Sequence, residues 1–123
     1  AQQTLELVKR VHPSAVTVLG GIHGTFMYQQ VLGEAPWIDY IVRGEGEEVV
    51  VNLARMLDGG DVERERKDVR GIAFVDTDGK VVATPAHPPI QDLDSLTPDW
   101  GLLNWKNYTY IPLGCRLAVP NFA

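Results

Sequence analysis

Two short apolar runs, each followed at once by a glycine-containing turn, constrain the fold of this chain most. Residues 16–19 lead into the turn of residues 20–24 (GGIHG), and residues 40–42 lead into the turn of residues 44–47 (GEGE). A helical pattern of apolar residues follows each turn. Strands that alternate with helices favour a parallel sheet with right-handed crossovers, and ligands of such a sheet bind beside the carboxyl ends of its strands. We therefore expect an α/β fold with both turns on one ligand-binding rim.

Apolar spacing predicts three helices around these strands. The first covers residues 5–11, with Thr4 as its N-cap. The second covers residues 25–32 and ends at a Gly33 C-cap. The third follows the second turn and ends at residues 59–60. Its buried face is predicted from apolar residues at helical intervals, namely Val49, Leu53, Met56 and Leu57.

The second half of the chain changes from helical spacing to alternation. Residues 72–75 and 80–83 flank residues 76–79 (DTDG), a sequence typical of a β-hairpin, which we expect to extend the sheet edge or to pack beside it. The charged residues 61–70 before the hairpin predict a solvated surface loop. The proline-rich residues 84–98 after it predict an irregular linker. An aromatic cluster follows the linker: Trp100, Trp105, Tyr108 and Tyr110.

Composition excludes several classes of function. The 123 residues are enough for one domain with a core, and 45% hydrophobic with 22% charged residues are typical of a soluble globular protein. A net charge of -5 argues against nucleic acid as the partner. No apolar run approaches the ~20 residues of a transmembrane helix. The single cysteine, Cys115, forms no internal disulfide, so a cytoplasmic location is expected.

Both ends of the sequence predict an internal fragment of a longer protein. The chain opens at Ala1 without an initiator methionine or a signal-peptide pattern, and a helix precedes the first strand. Residues 117–123 end without a polar tail. We therefore expect the fragment to be inactive by itself.

Gly20 and Gly21 have two interpretations. Without Cβ atoms, they let the backbone approach a bulky cofactor and present N–H groups to it. Alternatively, they only make a tight turn between a strand and a helix. The G-x-G-x-x-G pattern of dinucleotide-binding folds is absent, because no third glycine falls at the required spacing.

The acidic second turn, with Gly44 and Glu45, also has two interpretations. Carboxylates at a helix N-terminus complement the helix dipole, and this structural role is favoured for Glu48. The carboxylates could equally accept hydrogen bonds from ribose hydroxyls or from amides of a cofactor, which stays open for Glu45. Their charge argues against a phosphate site in this turn.

The histidines and the cysteine give weak signals of a metal site. His23 lies in the first turn, on the expected rim. Its candidate roles are metal ligand, proton donor and polar lining, but a lone histidine is rarely a metal site. His12 and His87 adjoin prolines, and no role is expected for them. Cys115 has no Cys-x-x-Cys neighbour, so it is not expected to bind zinc or an iron–sulfur cluster. The residues alone therefore predict an α/β ligand-binding domain followed by a linker.

Four segments together resemble one family: residues 18–26 (VLGGIHGTF), 38–48 (IDYIVRGEGEE), 70–85 (RGIAFVDTDGKVVATP) and 90–100 (IQDLDSLTPDW). In this order and spacing they are similar to the cobalamin-binding domain and linker of cobalamin-dependent radical SAM enzymes. Residues 20–48 and 97–123 further resemble the branch of that family that closes the isocyclic ring of a magnesium porphyrin in anaerobic (bacterio)chlorophyll synthesis. The resemblance covers nearly the whole chain.

The resemblance implies a division into domains and a set of cofactors. Residues 1–70 would be the C-terminal part of a Rossmann-like cobalamin-binding domain, residues 71–98 a hairpin and linker, and residues 99–123 the start of the radical SAM domain. Family members use a 4Fe–4S cluster, bound by three cysteines, to cleave S-adenosylmethionine into a radical. In this chain the cluster and S-adenosylmethionine would be bound by the missing part of the protein. The implied partner is the porphyrin substrate, magnesium-protoporphyrin IX monomethyl ester.

The resemblance also implies cobalamin-binding residues: Gly20, Gly21, Ile22, His23, Gly44 and Glu45. The sequence departs from the family pattern at two points. Cys115 precedes the expected three-cysteine motif and is not part of it, so no catalytic residue or metal ligand is assigned in this chain. The Asp-x-His-x-x-Gly motif of other cobalamin domains is absent, so His23 is not assigned as the cobalt ligand. Two alternatives remain, a cobalamin-dependent radical SAM methyltransferase with another substrate and a non-catalytic α/β ligand-binding module.

Overall fold

The computed structural model of the chain describes residues 1–59, 62–104, 109–110 and 117–118. The chain divides into two compact units, Ala1–Ile90 and Gln91–Ala123. In chain order, the first unit contains α1 (Gln2–Val11), β1 (Val18–Leu19), α2 (Gly21–Glu34), β2 (Tyr40–Val42), α3 (Glu47–Gly59), α4 (Val62–Glu65), β3 (Ile72–Val75) and β4 (Val81–Ala83).

The four strands of the first unit form one sheet in the order β1-β2-β3-β4. β1 and β2 are parallel, with Val18 opposite Tyr40, and α2 connects them. β2 pairs antiparallel with β3, and β3 pairs antiparallel with β4. The hairpin therefore extends the sheet next to β2, one of its two expected positions. The α/β fold class, with a parallel pair, a crossover helix, a hairpin and a linker, is confirmed.

The central strand β2 divides the core because its successive residues face opposite sides of the sheet. Ile41 is fully buried on the α2 side, where it packs with Val31 and Leu32. Tyr40 and Val42 belong to the second cluster, on the α3 side, whose other buried members are Val49, Leu53, Met56, Val69, Ile72 and Phe74. The predicted apolar face of α3 is confirmed, and Leu57 packs against this cluster.

Thr17 fixes β1 against the segment that enters β2. Its backbone N–H donates to the Asp39 carboxylate at 2.7 Å, and its hydroxyl donates to the Trp37 carbonyl at 2.6 Å. Lys9 of α1 lies 2.8 Å from the same carboxylate. This network connects α1 to the amino end of the parallel pair, at the opposite end of the strands from the two glycine turns.

The first two helices and the first strand differ from their predicted limits. α1 begins at Gln2, with Ala1 as its N-cap, so the prediction of Thr4 as the cap is wrong. β1 covers only Val18–Leu19, the two residues in register with Tyr40 and Ile41 of β2, although the Thr17 carbonyl also accepts from the Tyr40 N–H. α2 begins four residues earlier and ends two residues later than predicted, and Ala35 rather than Gly33 is its C-cap.

The early start of α2 means that residues 21–24 form a helical turn rather than the predicted loop. Glycine disfavours helix by about 1 kcal/mol relative to alanine, which is why the local signal indicated a loop. Two contacts accompany the helical turn. Within α2, the Thr25 hydroxyl donates to the Gly21 carbonyl at 3.0 Å. Toward the sheet, a Cβ at Gly24 would lie 3.1 Å from Ile41 Cγ2, so glycine lets the helix approach β2 without displacing that side chain.

The charged segment after α3 was predicted to be a solvated loop, and it differs from that prediction in two ways. It contains α4, and the Arg66 side chain is buried, with only 8% of the residue exposed. The Arg66 guanidinium lies 2.7 Å from the Asp76 carboxylate and stacks over the Phe74 ring at 4.5 Å. The Thr77 N–H and the Lys67 ammonium hold the pKa of Asp76 below its ordinary value. This cluster fastens α4 to the hairpin turn.

The second unit is described in short pieces. A 3-10 turn at Leu93–Ser95 is capped by Asp92, whose side chain accepts from the Asp94 N–H. A second 3-10 turn covers Trp100–Leu102, and Thr109–Tyr110 pairs antiparallel with Leu117–Ala118. Most of the predicted aromatic cluster, and Cys115, lie outside the residues whose side chains are described. No described helix has both the length and the apolar character needed to cross a bilayer.

Candidate functional site

The two glycine turns are neighbours at one edge of the sheet. β1 and β2 run in the same direction in adjacent positions, so the turns that follow them emerge side by side. Thr25 connects them, because its hydroxyl donates to the Gly21 carbonyl at 3.0 Å and accepts from the Gly44 N–H at 3.0 Å. The rim predicted from the sequence therefore exists, and a side chain that was given no role in that prediction holds it together.

The backbone of both turns requires glycine at specific positions. Gly21 has φ +89° and Gly44 has φ +78°, in the left-handed region that is costly for residues with a Cβ. A Cβ placed at Gly20, Gly21 or Gly44 would meet no other protein atom within 4 Å. Open space therefore lies in front of these three glycines, unlike Gly24, whose missing Cβ makes room for the sheet.

A cleft of ≈ 550 Å³ opens in front of the two turns. This volume lies within the usual range of ligand sites, about 300–1,000 Å³. One side consists of backbone and carboxylates, from Gly20, Gly21, Gly44, Glu45, Gly46 and Glu47. The other side is apolar and is formed by strand residues and by one face of α3: Val18, Val42, Val50, Leu53, Ala54 and Leu57. The cleft therefore combines hydrogen-bonding groups on one wall with a nonpolar surface on the other.

The structure brings four of the six predicted site residues together on this cleft, namely Gly20, Gly21, Gly44 and Glu45. Ile22 and His23 do not line it. Ile22 is 80% exposed on the first turn of α2. His23 lines a separate groove with Leu19 and the first residues of α1. These two residues flank the cleft without contributing to its wall.

Phe26 is a second apolar residue at the rim that the sequence did not single out. It lies one helical turn after Ile22 and is 74% exposed, so the two side chains share an exposed face of α2. A large apolar pair at i and i+4 is normally read as the buried face of a helix. Here the buried residues of α2 are Gly24, Val31 and Leu32, and exposure was visible only in the structure.

Three charged side chains in and beside the second turn contact the linker. The Glu45 carboxylate accepts from the Ile90 N–H at 2.6 Å, and Glu48 lies 3.4 Å from the His87 ring. The Arg43 guanidinium donates to the Thr84 carbonyl at 3.2 Å. Glu48 lies in the first turn of α3, the position for which a structural role at the helix dipole was predicted, and it also contacts the linker. His87, for which no role was expected, is its partner.

The electrostatics of the cleft suit a neutral, amide-rich ligand better than an anion or a metal. The acidic residues Glu45 and Glu47 both line the cleft, and their negative charge disfavours a phosphate and favours N–H or O–H donors. In the described part of the chain, no group of three His, Cys, Asp or Glu residues is placed to hold a metal ion. Gly20 is the N-cap residue of α2 and makes no side-chain cap hydrogen bond.

The sequence is similar to proteins of a known family. The model of the B12 binding domain matches residues 1–54, which include both glycine turns. Over all 123 residues, the chain is 63% identical to the anaerobic magnesium-protoporphyrin IX monomethyl ester cyclase of Rubrivivax gelatinosus. It is 56% identical, also over 123 residues, to the protein of the same name from Cereibacter sphaeroides. The chain covers 22% and 20% of these two relatives, or about a fifth of their length.

A solved structure has a similar fold. It is that of the cobalamin-dependent S-adenosylmethionine radical enzyme OxsB with aqua-cobalamin and S-adenosylmethionine bound, with a TM-score of 0.57 at 24% identity. The match covers 71% of this chain and 12% of that chain. The resemblance predicted from the four sequence segments is confirmed, and the α/β fold is similar to that of this structure.

Proposed function

We propose that this chain is the cobalamin-binding part of a cobalamin-dependent radical SAM enzyme. We further propose that the intact enzyme forms the isocyclic ring of magnesium-protoporphyrin IX monomethyl ester in anaerobic (bacterio)chlorophyll synthesis. The B12 binding domain match supports the cofactor, and similarity over the whole chain to two anaerobic cyclases supports the substrate.

One structural observation carries the cofactor assignment. Two glycine turns are held side by side through Thr25, and open space lies in front of Gly20, Gly21 and Gly44. A flat, bulky cofactor needs backbone that it can approach without meeting Cβ atoms. Gly24 differs from these three glycines, because the space of its missing Cβ is filled by Ile41.

The residues on the cleft fit the chemistry of cobalamin. The corrin ring carries amide side chains, whose carbonyls can accept from backbone N–H groups of the first turn and whose NH2 groups can donate to Glu47. The apolar wall of α3 residues suits a flat nonpolar part of the cofactor. The cleft takes only part of so large a molecule, and the exposed apolar pair Ile22 and Phe26 offers a further surface beside it.

This fit assigns separate roles to the cofactor and to the residues of this chain. When bound, cobalamin supplies the chemistry of its cobalt, whereas the protein supplies binding and orientation. Gly20, Gly21 and Gly44 give access and Thr25 keeps the turns in register. His23 faces a separate groove, so it is proposed only as polar lining at the edge of the site and not as a cobalt ligand.

The remaining parts of the reaction are assigned to the rest of the intact protein. We place the 4Fe–4S cluster and the S-adenosylmethionine site there, as the resemblance to cobalamin-dependent radical SAM enzymes implies. We further propose the domain limits 1–70, 71–98 and 99–123. Under this assignment, the intact protein is an oxidoreductase.

The test is cofactor binding followed by turnover in the intact protein. The protein is purified anaerobically, its cluster is reconstituted, and hydroxocobalamin is titrated while the corrin absorption is followed. We expect stoichiometric binding and, with S-adenosylmethionine and a reductant, conversion of magnesium-protoporphyrin IX monomethyl ester to a product with the isocyclic ring. Absence of corrin binding would refute the cofactor assignment. Binding with methylated product only would favour the methyltransferase alternative.

A further inference from the structure

The first residues of the linker are held tightly against the second glycine turn. Residues 84–90, termed the strap below, follow β4 and run past the end of β3. The Gly71 N–H donates to the Pro85 carbonyl at 2.8 Å, and the Arg70 side chain donates to the Ala86 carbonyl at 3.1 Å. The strap is therefore attached to the body of the first unit along most of its length.

Charged side chains in and beside the second turn also contact the strap. Arg43 reaches the Thr84 carbonyl at the start of the strap, Glu48 pairs with His87 in its middle, and Glu45 accepts from the Ile90 N–H at its end. Contacts between residues 39 or more positions apart are thus concentrated in the six consecutive residues 43–48. Four of these residues, 44–47, also line the cleft.

The contact at the end of the strap is the strongest by geometry. A distance of 2.6 Å between Glu45 Oε2 and Ile90 N is short for an N–H donor, as expected when the acceptor is a carboxylate. Pro88 and Pro89 precede Ile90, and proline has no N–H. Ile90 is therefore the first residue after His87 whose backbone can donate a hydrogen bond.

We propose that Glu45 is a positioning residue that couples the strap to the cofactor cleft, an inference that rests on the proposed cobalamin binding. The Glu45 carboxylate accepts from the Ile90 N–H of the strap, and Glu45 lines the cleft together with Gly44 and Gly46. A cofactor in the cleft fixes this turn, and the fixed turn holds Ile90, where the first unit ends. Glu45 thus acts on cobalamin binding through the strap and not by direct contact.

The experiment compares cobalamin affinity with exchange of the Ile90 amide hydrogen in the intact protein. Glu45→Ala removes the acceptor, whereas Glu45→Gln keeps a carbonyl oxygen that can accept the same bond. We expect Glu45→Ala to speed exchange of the Ile90 amide about tenfold without cobalamin, and to weaken hydroxocobalamin binding about three- to tenfold. Glu45→Gln is expected to restore most of both losses. Glu6→Ala, which removes an exposed carboxylate from α1, is the matched control and is expected to change neither.

A second variant separates positioning from direct contact. Ile90→Pro removes the donor and leaves the Glu45 carboxylate in place. If Glu45 acts through the strap, Ile90→Pro weakens cobalamin binding as much as Glu45→Ala, and the double variant is no weaker than either. Normal affinity in Ile90→Pro together with weak binding in Glu45→Ala would overturn the proposal, because it would mean that the carboxylate contacts the cofactor.

Two other results would also overturn it. One is faster Ile90 exchange in Glu45→Ala with unchanged affinity, which would make the strap contact purely structural. The other is failure of the unmutated protein to bind hydroxocobalamin, which would remove the proposed function and this inference together. The exchange measurement without cobalamin distinguishes these cases, since it reports on the bond between Glu45 and Ile90 whether or not cofactor binds.

Discussion

The Thr25 hydroxyl lies 3.0 Å from the backbone nitrogen of Gly44, and this bond joins the two glycine turns across the end of the parallel pair. The same hydroxyl donates to the Gly21 carbonyl, so one side chain sets the spacing between the two halves of the rim. Thr25→Val removes both bonds with little change in shape. We expect a loss of about 1 kcal/mol in unfolding free energy and weaker cobalamin binding.

Urea unfolding of the chain and hydroxocobalamin titration of the intact protein measure these two effects. Thr25→Ser retains the hydroxyl and is expected to bind cobalamin normally. Thr4→Val, on the exposed side of α1, controls for the change from hydroxyl to methyl. Equal affinities for Thr25→Val and the unmutated protein would mean that the bond does not organise the rim.

Alanine substitution at two glycines of α2 should change the unfolding free energy in opposite directions. A Cβ at Gly24 would lie 3.1 Å from Ile41 Cγ2 in the core, so Gly24→Ala should destabilise by about 1–3 kcal/mol through overpacking. Gly33 has no atom within 4 Å of the Cβ position, so Gly33→Ala should stabilise by about 0.5–1 kcal/mol through helix propensity. Chemical denaturation of the two variants checks the signs, and a stabilised Gly24→Ala would contradict the packing described for α2.

The Asp76 carboxylate should contribute to stability only above acidic pH. Its pKa is lowered from 3.8 by the Thr77 N–H and by Lys67, so the folded state favours the charged form. The contribution is therefore present above that ordinary pKa and is lost as pH falls through the lowered one. We expect Asp76→Asn to destabilise clearly near pH 7, since it also leaves Arg66 without its carboxylate, and the difference should shrink as pH falls below 3.8.

Thermal unfolding as a function of pH measures this difference. The control is Asp78→Asn, which removes a carboxylate from the same hairpin turn without altering the pair of Arg66 and Asp76. Its effect should be small at every pH. An Asp76→Asn difference that grows on acidification would have the wrong sign for a carboxylate with a lowered pKa.

The exposed apolar pair on α2 should matter for binding and not for stability. Ile22 and Phe26 are 80% and 74% exposed, so serine at either position removes little buried surface, and unfolding free energy should change by less than about 0.5 kcal/mol. If the pair contacts cobalamin, the double variant should bind hydroxocobalamin at least about tenfold more weakly. Val11→Ser, at a 60% exposed position of α1, is the control. Unchanged affinity in the double variant would remove Ile22 and Phe26 from the site.

The sequence predicted those parts of the fold whose signals are local. The alternation around residues 76–79 predicted the hairpin, because the turn chemistry and the strand period agree there. The helical spacing of Val49, Leu53 and Met56 predicted the buried face of α3, and all three are buried. The parallel order of the two strands before the glycine turns was likewise predictable from their short apolar runs.

Contacts between distant residues could not be predicted in this way. Arg66 stands in a run of mixed charges that resembles solvated surface, yet the ring of Phe74 and the carboxylate of Asp76 bury it. Gly24 resembles a loop residue until its distance to Ile41 is known. Glu45 was predicted as a cofactor ligand because nothing local indicates that Ile90, 45 residues later, meets its carboxylate.

Gly20 offers the most direct test of the central claim that the glycine rim binds cobalamin. Its backbone is extended rather than left-handed, and an added Cβ meets no protein atom within 4 Å, so Gly20→Val should fold normally and obstruct only the cleft. The measurement is hydroxocobalamin titration of the intact protein, with Gly33→Val as the matched control. The account predicts loss of binding in Gly20→Val and normal binding in Gly33→Val. Normal binding in Gly20→Val would contradict it.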